Sequence, residues 1–148
     1  MVNLTQRELR PRRSLGILQL FIALGAIGGG YGLITAPDGS NLGMPLTMLE
    51  TTPFHDFLIP GWLLLAVVGL GSLAAGILTL RRQRLYPELA VVMGCILMGW
   101  IIIQVALIRG IHWLHPTYFI LGALEAWLGW QLRKSKTAEL QDREATIK

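Results

Sequence analysis

The sequence predicts an all-α fold: an integral membrane four-helix transmembrane bundle with both termini cytoplasmic. Three observations predict it. Four long apolar stretches recur, at about 14–35, 57–80, 88–108 and 116–132. Apolar residues make up 53% of the chain, charged residues only 15%, and there are 17 glycines; a soluble domain carries roughly 25% charged residues. A chain of 148 residues cannot hide so much apolar surface in one soluble core, whereas hydrocarbon can cover it. Finally, twelve of the 13 basic residues fall on one side of a four-span arrangement.

The first three stretches exceed the roughly 20 residues that a helix needs to cross about 30 Å of hydrocarbon. The first is expected to start with Ser14 as N-cap. It is longer than the 7–15 residues of a signal-peptide core, so an uncleaved span is expected. For the second, Thr52 is the expected N-cap and Pro53 the first helical residue, where a missing N–H is harmless. Pro60-Gly61 predicts a kink within it. Pro87 and Pro116 mark the starts of the third and fourth helices. The fourth stretch is the shortest and contains Glu125. Between the first two lies a loop, 36–56, with a turn sequence Pro37-Asp38-Gly39-Ser40. Its apolar segment 44–49 suits either a lid over the bundle mouth or a connector. The tail, 133–148, is polar and expected to fray. The whole chain reads as one transmembrane domain.

Orientation follows from the basic residues. Arg7, Arg10, Arg12 and Arg13 precede the first span, Arg81, Arg82 and Arg84 link the second to the third, and Arg133, Lys134, Lys136, Arg143 and Lys148 lie in the tail. Only Arg109 lies opposite, and the loop 36–56 has no Lys or Arg. The positive-inside rule then places both termini and the 81–86 link in the cytoplasm. The localisation expected is multi-pass, in a bacterial-type inner or plasma membrane. The pI of about 9.7 is thus a topology signal, and no nucleic-acid partner is expected. The single cysteine, Cys95, cannot form an internal disulfide and is expected to pack in the interior.

Helices in lipid associate through small residues that let backbones approach. Gly25, Gly28, Gly29 and Gly32 form such a stripe on the first helix, Gly69, Ser72 and Gly76 on the second, and Gly122, Ala126 and Gly129 on the fourth. These grooves suit packing within the chain; the first also suits a homo-oligomer. Membrane lipids are the other expected partner.

Glu125 is the leading site candidate. It shares the small-residue stripe of the fourth helix, and a carboxyl at membrane depth is costly unless paired or neutral. Gln104 and Tyr31 are its candidate partners, and Trp100 and Trp127 suit either plain packing, the commoner role of such residues, or the lining of a cavity beside it. It suits a proton site, a general acid or a ligand-gripping group, or else one interhelical hydrogen bond. His55, Asp56, His112 and His115 all fall on the outer face. Histidine and carboxylate suit zinc or acid–base chemistry, with His112 and His115 as the weak metal candidates. They equally suit polar residues at helix ends, and Asp56 a helix-dipole partner. Trp62, Trp113 and Trp130 fall where an aromatic belt would lie. No P-loop, dinucleotide glycine run, CxxC, HExxH or nucleophile elbow occurs, and no cofactor is expected.

Three functions fit these residues. The first is a non-enzymatic membrane module that binds an apolar or lipid-like ligand or a partner subunit. The second is a small oligomeric proton-coupled transporter using Glu125. The third is an intramembrane enzyme acting on a lipid or isoprenoid. The topology itself is testable. Reporters fused after residue 84 and after residue 148 should both report the cytoplasm, and one inserted near residue 110 the opposite side. A tail reporter outside would remove the fourth span.

Overall fold

The structure, a computed structural model, describes the backbone of residues 3–147 and the side chains of residues 10–138 together with Gln141 and Ala145. Among the described residues it is all-helical, without strands. The four long helices are α1 (Asn3–Thr35), α2 (Leu58–Leu80), α3 (Tyr86–Ile108) and α4 (Leu114–Ile147). α1 from Arg10 onward, α2 and α3 are long and apolar enough to cross a membrane. α4 spans 34 residues but its apolar part is diluted by His115, Glu125 and Gln131.

Successive helices pack antiparallel as two hairpins, α1 with α2 and α3 with α4. Glycine makes both hairpins tight. A Cβ on Gly94 would stand 2.5 Å from the Gly122 carbonyl oxygen and 2.6 Å from the Ala126 nitrogen. One on Gly30 would stand 2.8 Å from the Gly61 oxygen. The backbones therefore touch directly, which gains dispersion contacts that lipid cannot match.

The expected faces of α2 and α4 are used within the chain. Gly69 meets Ile27, Gly76 meets Leu20, and Gly129 meets Ala90. On α1 the closest approach to another helix's backbone is through Gly30, outside the expected stripe. Of that stripe, Gly25 lies under the Tyr118 hydroxyl, Gly32 under Leu42 and Gly29 against Leu64, while Gly28 meets nothing within 4 Å.

The hairpins join around a core of Ile22, Ala26, Val68, Leu97 and Ile101, with Tyr118 and Leu121 of α4 packed against it. A second cluster, Leu15, Ala90 and Leu132, closes the arginine-rich end. A third, Leu33, Leu49 and Phe57, lies under the 36–57 loop with Met44, Met48 and Phe54. The loop therefore folds back over the helix ends. Its two ends are tied by a bond from the Phe57 N–H to the Pro37 carbonyl at 2.8 Å. The predicted turn is present, with Gly39 at φ +80° and the Met44 carbonyl against its α-carbon. Only glycine suits both conditions.

Several expected details are corrected. Ser14 is not an N-cap: α1 starts at Asn3 and carries Pro11 inside it. Thr52 and Pro53 belong to the loop, where the Thr52 hydroxyl donates to the Leu49 carbonyl (2.9 Å) and accepts from the Phe54 N–H (3.2 Å). α2 starts at Leu58 instead, its N–H donating to Asp56 Oδ1 at 3.0 Å. Pro60 thus falls in the first turn, where its missing N–H is tolerated. The departure from α geometry comes later, as a π-helical stretch over Leu64–Leu70. The tail continues α4 as helix to Ile147; the side chains of Arg7, Arg143 and Lys148 lie outside the described residues. Cys95 is exposed, because the inward face of α3 is set by Ala90, Met93, Gly94, Leu97 and Ile101.

Gly94→Val should loosen the second hairpin, since its neighbours at 2.5–2.6 Å are backbone atoms. Overpacking of this kind costs roughly 1–3 kcal/mol. Thermal unfolding in detergent should show that loss for Gly94→Val and no change for Gly28→Ala.

Candidate functional site

Two places bring polar side chains into an otherwise apolar interior. The first is built on Glu125, whose side chain is fully buried at 0% exposure. Gln19 on α1 donates from Nε2 to Glu125 Oε1 at 3.0 Å. The Thr79 hydroxyl on α2 donates to Gln19 Oε1 at 2.7 Å. The Arg12 guanidinium in turn donates from Nη1 to the Thr79 and Leu80 carbonyls, both at 2.9 Å. Those carbonyls end α2 and lack intrahelical partners, and a cation there complements the helix dipole. A polar seam thus runs from the arginine-rich end inward, with every donor pointing toward Glu125. It terminates on Glu125 Oε1, while the other carboxyl oxygen, Oε2, is buried and receives no hydrogen bond.

Gln104 and Tyr31 are not the partners of Glu125. Tyr31 is 63% exposed on the outer surface of α1. Gln104 lies toward the opposite end of the protein. Depth counted from the basic ends identifies the true partner: Glu125 precedes Arg133 by eight residues and Gln19 follows Arg13 by six. At 1.5 Å per residue both lie about 9–12 Å from that end. Trp127 does not line the site either; it is 50% exposed. Two residues along a helix is a rotation of about 200°, so Glu125 facing inward turns Trp127 outward.

The second place is a cavity of about 100 Å³ beneath the loop. Its floor and walls include Leu33, Phe57, Leu63, Trp100, Gln104 and Leu107. Leu63 and Ile103, which also lines it, are exposed on the outer surface, so the cavity opens sideways between α2 and α3. These two helices belong to different hairpins and have no glycine contact at this level. The loop is latched above it by the Thr51 hydroxyl, which donates to the Leu107 carbonyl at 2.6 Å. Trp100 and Gln104, both expected beside Glu125, meet here instead. The Trp100 indole N–H is buried without a hydrogen-bond partner.

The histidines expected on the outer face do not form a metal site. Among the described residues no group of three or more His, Cys, Asp or Glu side chains is placed to hold a metal ion. His55 is exposed, and Asp56 caps α2. His115 Nδ1 accepts from the His112 backbone N–H at 2.9 Å, while the His115 N–H donates to the His112 carbonyl at 2.9 Å. The pair forms the turn that starts α4. Partial burial pushes the His115 imidazole below the ordinary histidine range. Trp62 and Trp113 are exposed, as is Trp130, over which the Lys134 ammonium stacks at 3.6 Å.

Gln19→Leu should destabilise the protein by about 1–3 kcal/mol, because it strands a buried carboxyl. Gln19→Leu with Glu125→Leu should lose less than the two single changes added together. Additive losses in a detergent unfolding series would mean that the two side chains do not act as a pair. No family model matches this chain, and no curated protein or solved structure matches it either.

Proposed function

We propose that this chain is a multi-pass membrane protein, with both termini in the cytoplasm, that binds a lipid-like amphiphile in the cavity under its outer loop. The reading is of a non-enzymatic binding module. The observation that carries it is the cavity itself: an apolar chamber with a sideways mouth and a few polar side chains, Thr52, Trp100 and Gln104, in its lining. An apolar pocket with a few convergent polar groups is the usual form of a small-molecule site. At about 100 Å³ it is below the 300–1,000 Å³ of drug-sized pockets. It therefore takes the end of a chain or a small head rather than a whole molecule, with the remainder left between α2 and α3. The Gln104 amide supplies both a donor and an acceptor for a carbonyl or hydroxyl. The apolar segment around Leu49 roofs the cavity, which fits a lid.

The alternative of a proton-coupled transporter rests on buried Glu125 alone; an oligomer would have the uncovered Gly28 surface of α1 available. No observation favours the lipid or isoprenoid enzyme: His115 and Asp56 bond neighbouring backbone N–H groups, and among the described residues no cluster of three or more His, Cys, Asp or Glu forms.

The ligand reading is tested with a brominated single-chain fatty acid as quencher of tryptophan fluorescence. The purified protein should show saturable quenching. Trp100→Phe should remove most of the quenchable signal, and Leu107→Phe, which fills the cavity, should weaken binding by at least about tenfold. Quenching that grows linearly with probe and is the same in both variants would mean partition into the detergent, and the proposal would fail.

A further inference from the structure

Glu125 is not part of that cavity, and its second carboxyl oxygen is unexplained. Oε1 accepts from Gln19. Oε2 is buried, and no N–H or O–H reaches it. An ionised carboxylate has about four acceptor positions and no donor. With a single donor and no counter-charge, a carboxylate sealed from water is among the most costly groups a protein can bury. The acid form has the opposite requirement. Its Oε1 remains an acceptor for Gln19, and its Oε2–H needs only a spare carbonyl lone pair, such as a helix backbone offers one turn back. The surroundings agree. From α1 the group facing Glu125 is Gln19, and from α2 it is Thr79 acting through Gln19. The α3 residues packed on this stretch of α4 are apolar, namely Gly94, Leu97 and Met98. Arg12, the nearest cation along the seam, is engaged by the carbonyls of Thr79 and Leu80.

We propose that Glu125 is a proton-binding site: a neutral carboxylic acid with its proton on Oε2, exchangeable with the arginine-rich side where the seam of Gln19, Thr79 and Arg12 begins. The ligand is a proton, and the site lies at the join between the two hairpins. Gln19 and Thr79 are positioning residues that keep Oε1 the acceptor and so direct the proton to Oε2. Losing the proton would leave an anion between α1 and α4, so occupancy of this site and closure of the hairpins are linked.

The test is infrared spectroscopy of the purified full chain in lipid. Glu125→Gln, of nearly the same shape and able to bond Gln19, is the reference. Wild-type protein should show a carboxylic acid C=O band that Glu125→Gln lacks. The band should move to lower frequency within minutes of transfer to D2O, and disappear reversibly as the pH is raised. Gln19→Leu should shift it to higher frequency, because the C=O loses its donor; a merely structural role for Gln19 would not move it. If wild type differs from Glu125→Gln only in carboxylate bands at every pH, the group is an anion and the proposal is overturned. An acid band that does not respond to D2O would also overturn it, since the proton would be locked in. Titration of the band by sodium at constant pH would assign the oxygen to a metal cation and overturn it as well. Should Glu125→Gln fail to fold, Glu125→Asp serves as reference: it should keep an acid band at a shifted frequency.

Discussion

Gln19 stands where the two hairpins meet, and its carboxamide serves both. The oxygen accepts from Thr79 within its own hairpin, and the nitrogen donates to Glu125 in the other. In a dry interior each of these groups is costly alone, and together they are satisfied except for one carboxyl oxygen. Helices of matched apolar surface have little preference for one rotation over another in lipid. A buried polar contact supplies that preference. It agrees with the rotation that the α3 contacts of Gly122 and Gly129 require, and the same rotation turns Trp127 outward.

The remaining architecture divides the protein into a closed end and an open end. Toward the arginine-rich end, α1, α3 and α4 close on Leu15, Ala90 and Leu132, and Arg12 caps the end of α2. Toward the loop end, α2 and α3 share no tight glycine contact, and the space between them is filled by the folded-back loop. The loop can do this because its apolar residues, Leu49 and Phe57, are buried against Leu33.

The helical content, the four long helices and the small-residue faces of α2 and α4 were legible from composition and spacing. So was the importance of Glu125, because a carboxyl within an apolar stretch stands out in any reading. Its partner was not. Gln19 and Thr79 are unremarkable polar residues in long apolar runs, and only depth measured from the basic ends separates Gln19 from Gln104 and Tyr31 as the partner of Glu125. The cap of α2 was misplaced for a related reason. Thr52-Pro53 has the chemistry of a helix start, but the loop uses Thr52 to bond its own backbone, and Asp56 performs the capping.

Sequence by itself determined that the chain is helical, which stretches form the helices and which charges lie together at their ends. These follow from local quantities: hydropathy over a turn, residue size at intervals of three and four, and the basic residues between spans. Only the tertiary structure decided that Gln19 meets Glu125 across 106 positions, that Gly30 takes the closest backbone-to-backbone contact of α1, and that Trp100 and Gln104 line a cavity away from Glu125. Each depends on the rotation and relative height of two helices. Those are set by the sum of all contacts along a pair, which no single stretch of sequence contains.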